Sequence, residues 1–298
     1  MNDTSSLVMS DAQRQAMRAD PEYGQLYMKA HFVLQKLGGG KWYDTGFLIR
    51  YNAARDFLAL VRPDAVDRFV EAFAPLRTRP DYRIAQFEGL FADDVVAQIR
   101  DAVATITSAE MEKHERQVFG RDVLHNHDFF SKLQASLVPM VSKVAGEPVE
   151  PGYNFLSLYG GDGRCGVHMD EPMAKWTLDY CIDQSCDWPI HFSRIVDWPS
   201  SATMASFNAE AVKSDPALAF ESYALQPNNA LLFAGSGQWH YRDSIPDRGY
   251  CHLLFFHYHP AGAKRLANAA NWPDLFDLPE LKVLLDLCNA VHVNNQHL

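Results

Sequence analysis

From Tyr153 onward the chain changes its period to two, and this constrains the fold more than any other feature. "YNFLSLYG", "WTLDYCID", "IHFSRIVDW", "NNALLFAG", "QWHYRDSI" and "RGYCHLLFFHYH" are short runs rich in aromatic and β-branched residues, with Gly, Pro, Asn and Asp between them. Side chains of a strand alternate between two faces, so such runs each bury one face and need a partner sheet. Many of them in succession predict an antiparallel sandwich or barrel.

Helical patterns flank this region. Val66, Phe69, Val70 and Phe73 fall on one helical face within a mostly helical stretch at 1–80, which "RTRP" closes as a linker. "LGGGKWYDTG" interrupts it. Gly38, Gly39, Gly40 and Lys41 lack the spacing of a phosphate loop and read as a connection. A short strand is expected in "DYRIAQFEGLF". A helix capped by Asp93 or Asp94 follows, and a second helix runs from Asp128 with a break at Pro139. The C-terminal stretch returns to helix, with Leu278, Leu281, Leu284 and Leu285 as core positions. The expected organisation is a helical extension at 1–80, a β-rich domain at 81–262 and a helical tail at 263–298.

At 298 residues with 47% hydrophobic and 21% charged residues, the chain can build a substantial core without staples. A net charge of −10 repels phosphate backbones and argues against nucleic acid as a partner. The five cysteines fit no zinc spacing and read as reduced thiols. No signal-peptide pattern and no apolar run of about 20 residues is present, so the expectation is a cytoplasmic protein without a membrane partner.

"GRCGVHMDEP" places His168 and Asp170 two apart, just past the turn-rich "YGGDGR". Residues i and i+2 of a strand share a face, so an imidazole nitrogen and a carboxylate oxygen would aim at one point. Two ligands hold a divalent metal weakly; His240, at the strand start in "GQWHYRDS", is the expected third. Two histidines and one carboxylate on one face leave coordination positions open, as in non-haem Fe(II) oxygenases. Arg248, eight residues after His240 at the head of "RGYCHLLFFHY", is a candidate anchor for an anionic co-substrate, because a buried guanidinium needs an anion. Arg242, two residues past His240, should share the metal-facing side and hold either that co-substrate or an anionic group of the primary substrate.

With these motifs the sequence resembles the Fe(II)/2-oxoglutarate-dependent oxygenases, nearest to their prolyl-hydroxylase-like branch, over roughly 81–260. The resemblance implies an α+β fold: a double-stranded β-helix, or jelly roll, core with flanking helices. It implies His168, Asp170 and His240 on iron and as the catalytic centre, Arg248 on the 2-oxoglutarate tail, and O2 as the second co-substrate. It also implies Tyr159, closing the strand before the His-x-Asp turn, as a co-substrate contact, with Tyr180 on the next strand in the same role. His252 shares the alternation of Arg248 and is a candidate pocket residue. His257 and His259 alternate opposite to Arg248 and read as outer-face or edge packing; His125 and His127 precede a helix and read as structural.

The expected activity is hydroxylation of an unactivated C–H bond in a small, anionic metabolite such as an amino acid or biosynthetic intermediate. Competing readings are a peptide or protein hydroxylase of the same superfamily and a β-barrel that binds metal or ligand without turnover. The extension at 1–80 is a candidate docking or homodimer surface.

Overall fold

The computed structural model describes residues 11–37 and 46–295. The glycine run and Lys41 lie outside these described residues. Ten strands are present among them: β1 (Ala85–Phe87), β2 (Arg121–His125), β3 (Val149–Tyr159), β4 (Cys165–His168), β5 (Trp176–Gln184), β6 (Ile190–Phe192), β7 (Glu221–Tyr223), β8 (Ala230–Phe233), β9 (His240–Arg242) and β10 (Cys251–Pro260). They form two antiparallel sheets, a six-stranded one in the order β1-β8-β5-β10-β3-β2 and a four-stranded one in the order β4-β9-β6-β7. From β3 to β10 the chain passes back and forth between the sheets, pausing only at β6 and β7. The antiparallel sandwich expected from the strand pattern is thus present, in the double-stranded β-helix arrangement that the resemblance implies, with β1 and β2 added at the two edges of the larger sheet.

Period-two alternation sorts the side chains into three cores. Phe155, Phe192, Leu231, Phe233, Leu253 and Phe255 lie between the sheets. Leu156, Trp176, Leu178, Leu232, Leu254 and Phe256 point the other way from the larger sheet, onto the helices Asp93–Thr105, Asp128–Ser136 and Val138–Ala145. The break in this last pair falls at Leu137, with Pro139 in the first turn of the second helix, where a missing N–H costs nothing. Residues Asp93 and Asp94 occupy the first turn of their helix; the N-cap position belongs to Ala92.

Val167, Met169 and Trp239 face outward from the smaller sheet, and the N- and C-terminal helices cover them as a single cluster. Phe69 and Phe73 from the first segment stack edge-on against Trp272 from the last, with ring centroids 5.6 Å and 5.2 Å apart. Leu278, Leu281, Leu284 and Leu285 are all buried there. The two ends of the chain thus share one core behind the smaller sheet. Among the described residues no helix is long and apolar enough to cross a membrane, and all five cysteines are free thiols.

Candidate metal centre

β4 and β9 run side by side with His168 opposite His240. Because Val167, Met169 and Trp239 point outward, His168, Asp170 and His240 must point between the sheets. Asp170 lies just past the end of β4. Its N–H donates to the carbonyl of Gly235 (2.9 Å), which ties the loop after β8 to the His-x-Asp turn. Nε2 of His168 and Nε2 of His240 each lie 3.5 Å from Asp170 Oδ1. The imidazole centroids are 4.2 Å apart, and one donor atom from each of the three residues falls within 4.8 Å of the others. All three are buried.

Hydrogen bonds on the far side of each ring decide the tautomer. His168 Nδ1 lies 2.8 Å from the Gly166 carbonyl and His240 Nδ1 lies 3.0 Å from the Gln238 carbonyl. A carbonyl only accepts, so each Nδ1 carries the proton, the arrangement that prepares Nε2 to ligate a metal. Burial works against ionising Asp170, but His240 and His168 outweigh it and hold the carboxyl well below its ordinary value. Burial and the neighbouring His168 push His240 below its ordinary value, against the opposing pull of Asp170. In its neutral form, with Nδ1 on the Gln238 carbonyl, the ring turns an Nε2 lone pair toward a carboxylate oxygen, two acceptors that a cation between them would reconcile. Burial alone would lower His168 as well, yet Cys165 and Asp170 raise it well above its ordinary value. A metal must therefore displace a proton from this ring.

Asp170 Oδ2 accepts from the Thr177 hydroxyl (3.0 Å). Gly235 is required beside it, since a Cβ there would sit 2.2 Å from that same oxygen. The cavity that opens on the triad is walled by Tyr153, Phe155, Phe233 and Phe255 and carries two buried guanidinium groups, Arg121 and Arg242. Arg242 pairs with Asp179 (2.7 Å), donates to the Trp188 carbonyl and lies 4.9 Å above the Trp188 ring. Arg121 pairs with Glu115 and donates to the Tyr159 hydroxyl (2.7 Å). Both guanidinium groups act on Tyr159, so two fixed cationic donors, each balanced by a carboxylate, surround that ring.

The expected residues divide as follows. His168, Asp170 and His240 come together, and Tyr159 and Arg242 line the same cavity. Arg248 does not. Pro246 cannot donate to a ladder, the chain makes a turn at Pro246–Arg248, and β10 starts only at Cys251. Arg248 is exposed and does not line the cavity. This correction reverses the alternation phased from Arg248. His252 points away from the cavity and packs on Tyr250 (4.9 Å), while His257 is buried in its wall. Tyr180 faces the helices on the outer side of the larger sheet, where its hydroxyl meets Asn228 (3.3 Å) and its ring meets Phe91. On β5 the inward positions are Thr177, Asp179 and Cys181.

Sequence reading alone misses Arg121, Thr177, Asp179 and His257. An acid in the middle of an apolar strand, as in "WTLDYCID", is the available signal for Asp179. For Arg121 there is none, because β2 is short and carries no clear alternation.

Fold and donor set together define a class: a double-stranded β-helix protein with a candidate two-histidine, one-carboxylate metal centre between its sheets. No protein-family model matches the chain, and no curated protein matches it. Solved structures do. HygX from Streptomyces hygroscopicus, crystallised with nickel, 2-oxoglutarate and hygromycin B, is 11% identical, with 65% of this chain and 86% of that one covered at a TM-score of 0.49. The non-haem α-ketoglutarate-dependent carbocyclase SnoK from nogalamycin biosynthesis is 10% identical, covering 63% and 83% at 0.48. A Pseudomonas putida prolyl-4-hydroxylase is 9% identical, covering 64% and 97% at 0.43.

Proposed function

We propose that this protein is an Fe(II)- and 2-oxoglutarate-dependent oxygenase acting on a C–H bond of a small molecule. One observation carries the reading: two imidazoles with Nδ1 committed to backbone carbonyls, and one ionised carboxylate, meet on one side of a buried point in a cavity that also holds two buried guanidinium groups. That donor set fits Fe(II) and leaves coordination positions for co-substrates. His168, Asp170 and His240 would hold the metal, which when bound would supply O2 activation coupled to decarboxylation of 2-oxoglutarate.

The chain's own contribution is placement and exclusion of water. Arg242 takes the role expected of Arg248 and orients the distal carboxylate of the co-substrate, with Arg121 and the Tyr159 hydroxyl beside it. Asp179 and Glu115 hold these two guanidinium groups in position, so that little reorganisation is needed on binding. Phe155, Phe233 and Phe255 keep the walls apolar, which strengthens every charged contact inside. With Arg242 at the co-substrate end, the substrate preference rests on the aromatic wall formed by Tyr153 and Phe155. A small molecule with an apolar portion suits that wall, and hydroxylation is the expected outcome.

Anaerobic titration of the protein with Fe(II) and then 2-oxoglutarate tests this directly. A weak visible charge-transfer band is expected, followed on admitting air by slow succinate formation even without primary substrate. No band and no succinate above the level of a His240→Ala control would overturn the reading.

A further inference from the structure

Alternation phased from Arg248 assigns His257 to the outer face of its strand, and the structure puts it in the cavity wall. It lies opposite Thr177 on the neighbouring strand β5. Against β3, on its other side, the register slips between Phe256 and Tyr258: two residues of β3, Gly152 and Tyr153, stand opposite the single residue His257, so β3 carries the bulge. A bulge in a central strand leaves backbone groups to satisfy. Here the His257 carbonyl accepts from the buried side chain of Gln134 (2.7 Å), which also donates to the Tyr153 carbonyl (3.1 Å) and accepts from Asn154 (2.9 Å). Gly152 runs past so closely that a Cβ would come within 3.1 Å of the same carbonyl. The bulge in β3 is thus a supported feature that sets Tyr153 against the imidazole of His257, with centroids 4.3 Å apart.

The Thr177 hydroxyl touches three groups: Asp170 Oδ2 at 3.0 Å, the Ala174 carbonyl at 3.3 Å and His257 Nδ1 at 2.9 Å. Carboxylate and carbonyl oxygens accept only, and the hydroxyl has one proton to give. That proton goes to the nearer and charged acceptor, Asp170. The third contact is then a hydrogen bond only if His257 Nδ1 donates.

We propose that His257 is a positioning residue for the metal centre: through Thr177 it fixes which oxygen of Asp170 turns to the metal and which is held back. The inference rests on the reading of His168, Asp170 and His240 as metal ligands. The chain of donors runs one way, from His257 Nδ1–H to Thr177 Oγ1 and from the Thr177 hydroxyl to Asp170 Oδ2. This leaves Oδ1 facing the two histidine Nε2 atoms, from which it is 3.5 Å distant in each case. Burial pushes His257 down to about 4, so the ring is neutral near pH 7 and has a single tautomer to choose. That tautomer makes Nε2 an acceptor. This atom is buried without a hydrogen-bond partner among the described residues, so it suits a hydroxyl or N–H of a molecule bound in the cavity.

Co(II) alone is the probe, followed by its visible spectrum and dissociation constant in the full-length protein. Partners of a metal ligand of this kind are worth about 10–100-fold in affinity. Thr177→Val and His257→Phe should weaken Co(II) by that factor and alter its spectrum. Thr177→Ser should restore both. His257→Asn keeps a donor near Nδ1 and should also bind as the wild type does, a rescue that a merely space-filling role would not produce. In Zn(II)-loaded wild type, nitrogen NMR of the histidine assigned through its contact with the Thr177 methyl should show the proton on Nδ1, and this needs no variant to fold. The proposal is overturned by the proton on Nε2, by wild-type Co(II) affinity in Thr177→Val, or by His257→Asn as weak as His257→Phe. Wild-type protein that binds no Co(II) overturns it too, by removing the metal reading beneath it.

Discussion

Gly235→Ala is the sharpest test of the geometry around Asp170. The added Cβ would stand 2.2 Å from Asp170 Oδ2, 2.6 Å from the Ala174 carbonyl and 2.8 Å from the Thr177 hydroxyl oxygen. Ordinary contact begins at 3.4 Å, so the carboxylate must retreat by about 1 Å, whereas metal–ligand distances tolerate only about 0.2 Å. Gly235 does not adopt a positive φ, so alanine brings no backbone strain. Stability receives two opposed contributions: about 1–3 kcal/mol lost to overpacking and about 0.4–1 kcal/mol gained from a stiffer unfolded chain. The net is a loss of about 0–2.5 kcal/mol, while Co(II) affinity should fall at least about 10–100-fold. Denaturant unfolding and Co(II) titration on the same preparation separate the two effects. A Gly235→Ala protein that binds Co(II) within threefold of wild type (~0.7 kcal/mol), with an unchanged spectrum, would refute the placement of Asp170 in the donor set.

Three further outcomes are expected. His240→Ala should abolish Fe(II)-dependent succinate formation while shifting the denaturation midpoint little, since the ring serves the cavity more than the core; near-wild-type turnover would remove it from the triad. Arg242→Ala should raise the 2-oxoglutarate requirement by roughly 10- to 150-fold, the worth of a charge-assisted contact of about 1.5–3 kcal/mol, and exposed Arg248→Ala should leave it unchanged; the reverse pattern would return the role to Arg248. The apo protein should lose stability as pH falls from 6.5 toward 4. Over that range the unfolded chain protonates His257, while burial, with His240, His125 and Arg121 against the opposing pull of Asp170, keeps the folded ring neutral. The slope from this group is at most about 1.4 kcal/mol per pH unit. His257→Asn should flatten the profile by that amount, and an unchanged slope in urea unfolding series would discount it.

The strand region is legible in the sequence because alternation is a local property: burying one face of a strand writes its period directly into neighbouring residues. The same alternation separates His168 and Asp170 from Val167 and Met169, and His240 from Trp239, so residue order alone nominates the triad. The split just before Pro139 and the leucines of the C-terminal helices are visible for equally local reasons.

Only the tertiary structure decided the phase of β10. Pro246 delays the strand to Cys251, and phasing its face from Arg248 turns His252 inward and His257 outward, the opposite of what the packing chose. Arg121 could not be found because β2 gains its place from edge pairing with β3, an interaction between distant segments. Thr177 acquires its role solely from what stands across the ladder and beyond the turn: His257 on one side, Asp170 on the other. Residue type and spacing can nominate metal ligands, because ligation needs few chemical groups and a short-range pattern. The shell that orients those ligands is assembled from separated segments of chain, and its members have no pattern in common until the two sheets close over them.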